Sequence, residues 1–398
     1  MDPVRNPYAP GAGQRPPELA GRDEQLAAFD VTLERVAHGR PERSVVLTGL
    51  RGVGKTVLLN ALRSAAVRSD WGTGKLEARP DQPLRRPLAS ALHMAIRELG
   101  HPQSDEVLGT VKAFAARDAG SGRMRDRWNP GIDVPATTGR ADSGDMEIDL
   151  VELLTDVGGL AADVGRGVAI FVDEMQDLRP EDVSALCAAC HELSQNRLPV
   201  VVVGAGLPHL PAVLSASKSY SERLFRYSRV DRLDRESADR ALVSPARDED
   251  VEFTPGALAE MYAATAGYPY FVQAYGKAVW DAAAGSPVTL DDVRVAAPEA
   301  EAELGVGFFG SRYERATPAE REYLRAMAET AVAVADTSEP EPDSVPTAAV
   351  AAHLDRKPQS LSPARDALLK KGLIYSGERG RIAFTVPHFG RYLRATTG

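Results

Sequence analysis

Gly49-Leu50-Arg51-Gly52-Val53-Gly54-Lys55-Thr56 fits the spacing G-x-x-x-x-G-K-[ST], and its flanks constrain this chain more than any other segment. The β-branched run Ser44-Val45-Val46-Leu47-Thr48 comes immediately before it and reads as a buried strand. Val57-Leu58-Leu59-Asn60-Ala61-Leu62 follows and reads as an apolar helix. A strand, a glycine turn and a helix in that order make a phosphate cradle. The glycines let successive backbone N–H groups point inward, and the helix N-terminus adds positive potential. Gly49, Leu50, Arg51, Gly52, Val53, Gly54, Lys55, Thr56 and Val57 are therefore the candidate nucleotide-binding residues. Lys55 is suited to reach the β- and γ-phosphates of ATP, and the Thr56 hydroxyl to hold Mg²⁺. A chance glycine turn is the competing reading, which the strand and helix on either side disfavour.

Val168-Ala169-Ile170-Phe171-Val172 and Pro199-Val200-Val201-Val202-Val203 read as two further buried strands. Helices alternating with such strands imply an α/β architecture, a parallel sheet with helices on both faces. The first of these strands ends in Asp173-Glu174. A carboxylate at a strand tip can hold magnesium or its water, and a neighbouring one can orient an attacking water. We assign Asp173 to the metal and Glu174 to the water, with Gln176 and Asp177 close enough to support them. Alone, the pair would more simply cap the following helix; beside the cradle, the catalytic reading is stronger.

Gly21-Arg22-Asp23-Glu24, the glycine turn, Asp173-Glu174 and the run after the third strand together resemble AAA+ ATPases of the replication-initiator-like class. They also resemble the related signal-transduction ATPases with numerous domains, from about residue 17 to the end. The resemblance implies a P-loop AAA+ core, a helical lid, a C-terminal winged helix–turn–helix, and ATP hydrolysis with Mg²⁺. It implies that Arg22 lies near the adenine. It also implies that Pro269, in Gly267-Tyr268-Pro269-Tyr270, packs the lid against bound nucleotide. An arginine finger is implied in Ser219–Arg226, where Arg223 or Arg226 would reach the γ-phosphate of a neighbouring subunit in a homo-oligomer. Plainer readings stand beside these: a surface charge for Arg22, pairing with Glu222 or Asp231 for the finger arginines, and a helix restart for Pro269. Two departures matter. The third strand runs into Gly204-Ala205-Gly206, where those ATPases carry a polar residue that positions water, which implies slow turnover. No lid arginine of the usual kind follows Pro269. His388, in Val386-Pro387-His388-Phe389, matches only the histidine of the related Met-His-Asp pattern and reads as a plain half-buried histidine.

Residues 1–20, rich in Pro and Gly, read as an extended lead-in, and 21–234 as the ATPase core. A mobile loop is expected at 119–147, a helical lid over 235–310 and the winged helix over 311–398. In that last module Thr317-Pro318-Ala319-Glu320 opens one helix and Thr347–Leu354 forms a second. Ser362-Pro363 starts a third, which Gly372 closes. Two strands then flank Ser376-Gly377-Glu378-Arg379-Gly380. From residue 345 onward nine basic residues face three acidic ones, a surplus of six on a chain whose net charge is −9. Cations gathered on one module are the footprint of phosphate binding, so double-stranded DNA is a candidate partner. Gln359, Ser360 and Arg365 would face the groove, with Arg379 and Arg381 on the wing. The competing reading is a module that packs on protein and binds no DNA.

Cys187-Ala188-Ala189-Cys190-His191 spells a haem-attachment motif, but it sits on an apolar helix stripe with Val183, Leu186 and Leu193, so core cysteines explain it better. The N-terminal residues show no basic-then-apolar signal and no apolar run reaches the ~18 residues of a membrane span, so a cytoplasmic protein with no membrane partner is expected. The expected function is a slow ATPase that couples ATP to assembly on DNA. The alternative is a nucleotide-controlled oligomerisation switch.

Overall fold

The computed structural model describes residues 1–11, 13–80, 82–116, 132–334, 344–376, 380–386 and 388–396. They form two compact units: a sheet unit of Arg22–Gly49 with Lys55–Val230, and a helical unit of Met1–Gly21, Leu50–Gly54 and Asp231–Gly398. Among the described residues no helix is long and apolar enough to cross a membrane.

The sheet unit opens with α1 (Asp23–Ala37), β1 (Ser44–Thr48), α2 (Lys55–Arg68) and β2 (Gly72–Glu77). It continues through α3 (Arg85–Leu99), α4 (Ser104–Ala116), α5 (Met146–Asp163), β3 (Val168–Asp173) and α6 (Pro180–Gln195). β4 (Val200–Gly206), α7 (Leu210–Ser217), α8 (Ser221–Leu224) and β5 (Phe225–Arg229) complete it. The strand order is β2-β3-β4-β1-β5, and every neighbouring pair is parallel. β1, β3 and β4 are buried at every residue, which is why they read as unbroken Val/Ile runs rather than alternating ones. Because the strands are parallel, Thr48, Asp173 and Gly206 all end on one edge of the sheet, where open α/β sheets bind their ligands.

Several strands differ from the sequence expectation, and β5 and the short strand Val345–Pro346 are additions to it. β4 runs on through Gly206 because Leu47 pairs with Ala205 and Thr48 with Gly206. β2 was not anticipated, because Gly72 and Gly74 lower its strand propensity. Tertiary packing demands those glycines. A Cβ on Gly72 would lie 2.4 Å from the Ala95 carbonyl oxygen, and one on Gly74 2.5 Å from that of Ala91.

Of the loop expected at 119–147, residues 119–131 lie outside the described residues. The remainder is tied down. Lys112 Nζ donates to the carbonyls of Ile132 (3.2 Å) and Val134 (2.7 Å), and Met146 already begins α5 behind an Asp145 N-cap. Asp149 in the first turn of α5 is fully buried. It accepts hydrogen bonds from Ser143 N and Oγ and from Gly144 N, and pairs with Arg85 at 2.7 Å. The Arg85 guanidinium in turn lies 4.8 Å from the centre of the Phe114 ring.

The helical unit contains α9 (Arg235–Arg247), α10 (Pro255–Thr265), α11 (Pro269–Ala282) and α12 (Leu290–Glu303), then a π-helical stretch, Leu304–Gly310. There follow α13 (Ser311–Glu314), α14 (Pro318–Val334), β6 (Val345–Pro346), α15 (Thr347–His353) and α16 (Pro358–Lys370). β7 (Ile374–Tyr375), β8 (Arg381–Phe384) and α17 (Phe389–Ala395) end it, with an antiparallel sheet in the order β6-β8-β7. Thr317 caps α14 as expected: Thr317 N donates to Glu320 Oε2 and Glu320 N to Thr317 Oγ1. α16 starts at Pro358, before the expected Ser362-Pro363, because Pro358 takes the first helical position, where its missing N–H costs nothing. The N-terminal segment is anchored rather than loose. Tyr8 is buried and donates to the Leu242 carbonyl (2.6 Å), and Trp280 Nε1 donates to that of Asp2 (2.9 Å).

Burial pushes the Asp149 carboxyl pKa up, but the hydrogen bonds from Ser143 and Arg85 outweigh it and hold the pKa below its ordinary 3.8. A depressed folded-state pKa contributes stability above the unfolded value, and that contribution is lost as pH falls through the folded one. Unfolding free energy of the sheet unit should therefore decline as pH drops below about 3.8, and Asp149→Ala should remove that part of the decline. At neutral pH Asp149→Ala strands the Arg85 cation and should cost ~3–5 kcal/mol in urea titration.

Candidate nucleotide site

In the sheet unit the cradle begins as a continuation of β1, with Gly49 N donating to the Gly206 carbonyl at 3.2 Å. Lys55, at the start of α2, is buried and its Nζ donates to the Gly49 carbonyl at 2.9 Å. Thr56 and Val57 follow in the first turn of α2, both half-buried. Asp173 is buried at the tip of β3, and its Oδ1 accepts from Glu174 N at 3.0 Å. Glu174 turns the chain with φ 51°, a left-handed conformation that a non-glycine residue holds only against strain. A carboxamide meets its carboxylate: Gln176 Nε2 donates to Glu174 Oε2 at 2.5 Å.

The other sheet-unit candidates lie elsewhere. Arg22 is buried at the N-cap of α1, so the plain surface-charge reading of this residue is wrong. Arg223 is exposed on α8, and Arg226, half-buried in β5, donates to Thr32 Oγ1 at 3.4 Å. Ser44 pairs with Phe225, so both arginines flank the N-terminal end of β5, at the opposite sheet edge from Gly49. The length of β1 separates them from the cradle of their own subunit by roughly 15 Å.

The cradle's apex, Leu50–Gly54, belongs to the helical unit. Gly52 and Gly54 have φ of 85° and 91°, the conformation that turns backbone N–H groups inward. A Cβ on Gly52 would lie 3.3 Å from Phe308 Cζ, and one on Gly54 4.0 Å from Pro269 Cγ. Pro269 opens α11 beside this turn.

Arg312, just beyond the stretch expected to form the lid, lies near Arg51 of the cradle's apex. Its guanidinium lies 3.6 Å from the centre of the Phe308 ring, NH1 donates to the Phe308 carbonyl, and Nε has no hydrogen-bond partner among the described residues. Burial pulls the Arg312 pKa down to about 10, and repulsion from Arg51 and Arg315 adds to it. Two cations crowded at the cradle's apex suit an anion. Only the π-helical turn before α13 brings Arg312 there, which is why no spacing rule found it. His388 is half-buried at the N-cap of α17, with φ 61° and Nε2 2.8 Å from the Ala264 carbonyl oxygen.

The C-terminal cations are largely engaged within their own unit. Arg365 pairs with Asp366 (3.0 Å), Lys371 with Glu320 (2.6 Å), Arg356 with Glu322 (3.0 Å) and Arg391 with Glu301 (3.7 Å). Arg381 donates to Ser344 Oγ and to the Ser344 carbonyl, and Arg379 lies outside the described residues. Gln359 and Ser360 are exposed on α16, as are Lys357, just before it, and Lys370. Cys187 and Cys190 are buried on α6, and burial pushes their thiols up to about 11 and about 12, so they behave as core side chains.

Residues 18–203 match a family model described as the AAA ATPase domain, and residues 306–393 match one described as a domain of unknown function. The fold is similar to a Walker-type ATPase of Pyrococcus abyssi, with a TM-score of 0.57 and 16% identity over 96% of this chain and 97% of that one. Cdc6p from Pyrobaculum aerophilum aligns with a TM-score of 0.47 and 14% identity, over 100% of this chain and 99% of that one. The Orc1 protein of Aeropyrum pernix, solved in complex with DNA, aligns at 0.44 and 14% identity, over 96% and 94%. No curated protein matches. The expected α/β P-loop AAA+ fold is thus the one observed.

Arg312→Met removes a half-buried cation from beside Arg51 and should not lower the thermal midpoint of the nucleotide-free protein. The rise in thermal midpoint on adding ATP should shrink in the same variant. An undiminished rise would separate Arg312 from the phosphates.

Proposed function

We propose that this chain binds ATP with Mg²⁺ in the turn Gly49–Val57 and hydrolyses it slowly. The observation that carries this reading is the shared sheet edge of Lys55 and the Asp173-Glu174 pair. Gly52 and Gly54 supply the inward-turned backbone of an anion cradle, and a buried carboxylate with a helix-start threonine is the donor set a hard divalent cation needs. Thr56 and Asp173 would hold Mg²⁺, whose chemistry is neutralising charge that develops on the phosphates. Glu174 orients a water and accepts its proton as the oxygen adds to the γ-phosphorus. The bond to the β–γ bridging oxygen breaks, and ADP and inorganic phosphate leave. The glycine tip of β4 offers no side chain to that water, which supports slow turnover.

Arg22 near the base is carried over from the resemblance alone; within the helical unit, Pro269 and Arg312 stand by the cradle's apex. Arg223, exposed and remote from its own cradle, suits a role towards a neighbouring subunit better than Arg226, which is bonded to Thr32. The proposed division is a core to about residue 234, a lid over 235–310 and a winged helix over 311–398. Helix α14, strand β6, helices α15 and α16 and the β7–β8 pair follow the order such a module needs. ATP-dependent assembly on DNA is the proposed output, supported by the basic surplus after residue 345 and by exposed Lys357 and Lys370 around α16.

One observation favours the second reading, a nucleotide-controlled switch without DNA. Carboxylates of α12 and α14 take up Arg356, Lys371 and Arg391, so the surplus counted along the sequence is partly neutralised in the fold. In addition, Tyr268, next to Pro269, donates to the Thr385 carbonyl at 2.8 Å, tying the lid turn to the C-terminal module.

Glu174→Gln should retain ATP affinity while turnover falls ~10²-fold or more. Turnover at the wild-type rate would remove Glu174 from this role. For the output, replacing Arg365 and Arg379 together by alanine should weaken duplex binding and lower its salt slope by about 2. A wild-type protein that binds no duplex at low salt would leave the switch reading standing.

A further inference from the structure

The tip of β4 is glycine because something else fills the space of its side chains. A Cβ on Gly204 would fall 1.8 Å from Met175 Sδ, and one on Gly206 would fall 2.6 Å from Leu210 Cδ2 and 2.8 Å from Gln176 Oε1. Met175 and Gln176 come from the short 3₁₀ turn Met175–Asp177 that follows Glu174. Gln176 bridges two points there: Leu207 N donates to its Oε1 at 3.1 Å, and its Nε2 donates to Glu174 Oε2 at 2.5 Å. The direction of the amide follows from chemistry. A backbone N–H can only donate, so Oε1 must face Leu207, and the NH₂ end must then face the carboxylate. Oxygen at both ends, or a shorter side chain, could not make both bonds.

We propose that Gln176 is the positioning residue for Glu174, setting that carboxylate from the Asp-Glu turn while β4 still offers the water itself no side chain. Its carboxamide holds one carboxylate oxygen of Glu174 and so sets the direction in which the other is presented. The anchor is the backbone just past β4, so the orientation is referred to the sheet itself. The same bond restrains Glu174 in its left-handed turn, where a non-glycine residue costs ~1–3 kcal/mol and needs its surroundings to hold it. A shift of about 1 Å in a group that must line up a nucleophile can cost ~10²-fold in rate. This inference rests on the reading of Glu174 as the water-orienting base.

The test is steady-state ATPase kinetics on the full chain, with ATP affinity measured separately by calorimetry. Gln176→Ala should lower kcat ~10- to 100-fold while KM and ATP affinity stay at wild-type values. Gln176→Glu keeps the bond from Leu207 but as a carboxylate cannot donate to Glu174, so kcat should fall with KM unchanged. Gln176→Met keeps the bulk and loses both polar ends; it should lose kcat as Gln176→Ala does, whereas a glutamine that merely packs would tolerate it, and it remains informative even if Gln176→Ala fails to fold. If wild-type protein turns over ATP and Glu174→Gln abolishes it, then wild-type kcat in Gln176→Met or in Gln176→Glu overturns the Gln176 assignment alone. If Glu174→Gln leaves turnover intact, the base assignment fails and this inference falls with it.

Discussion

The parallel register of β1, β3 and β4 is the constraint from which the rest of the sheet unit follows. Parallel strands buried on both faces can only be made from unbroken apolar runs, and their polar work has to be done where they end. Pairing of Thr48 with Gly206 and of Val172 with Gly204 brings three strand tips to one edge. Lys55, Asp173 and Glu174 emerge there at the edge of the hydrophobic core. Before the start of β5, Arg223 is held away from that edge by the same register.

Close packing at the strand tips then dictates which side chains can do the work. Met175 leaves room for no side chain at Gly204, and Leu210 and Gln176 leave almost none at Gly206. A polar side chain at the tip of β4 comes instead from Gln176, in the turn after β3. In the helical unit Arg312 lies close to Arg51, just after the π-helical stretch Leu304–Gly310.

Much of this was legible along the chain because the signals were local. The cradle needs glycines at set positions next to a strand and a helix, and Asp173-Glu174 sits where a β-branched run stops. Thr317 and Glu320 announce a helix start by their spacing alone. Other features depend on neighbours far away in sequence and were not legible. β2 carries glycines that lower strand propensity, and only the carbonyls of α3 explain them. Arg22 read as a surface charge because nothing adjacent to it in the chain predicts its burial. The basic surplus after residue 345 was counted without Glu301, Glu320 and Glu322, which precede that stretch in the chain and meet it only in the fold.

By itself the amino-acid sequence determined the fold class, the cradle and the acidic strand tip, since each is written in short-range periodicity and steric requirement. Tertiary structure alone decided that Gln176 ties Glu174 to Leu207, that Arg312 stands at the cradle's apex, and that the C-terminal cations are shared with α12 and α14. Those are contacts between segments tens to hundreds of residues apart, or rotations within a turn. They depend on packing and helix phase, which one-dimensional spacing does not encode.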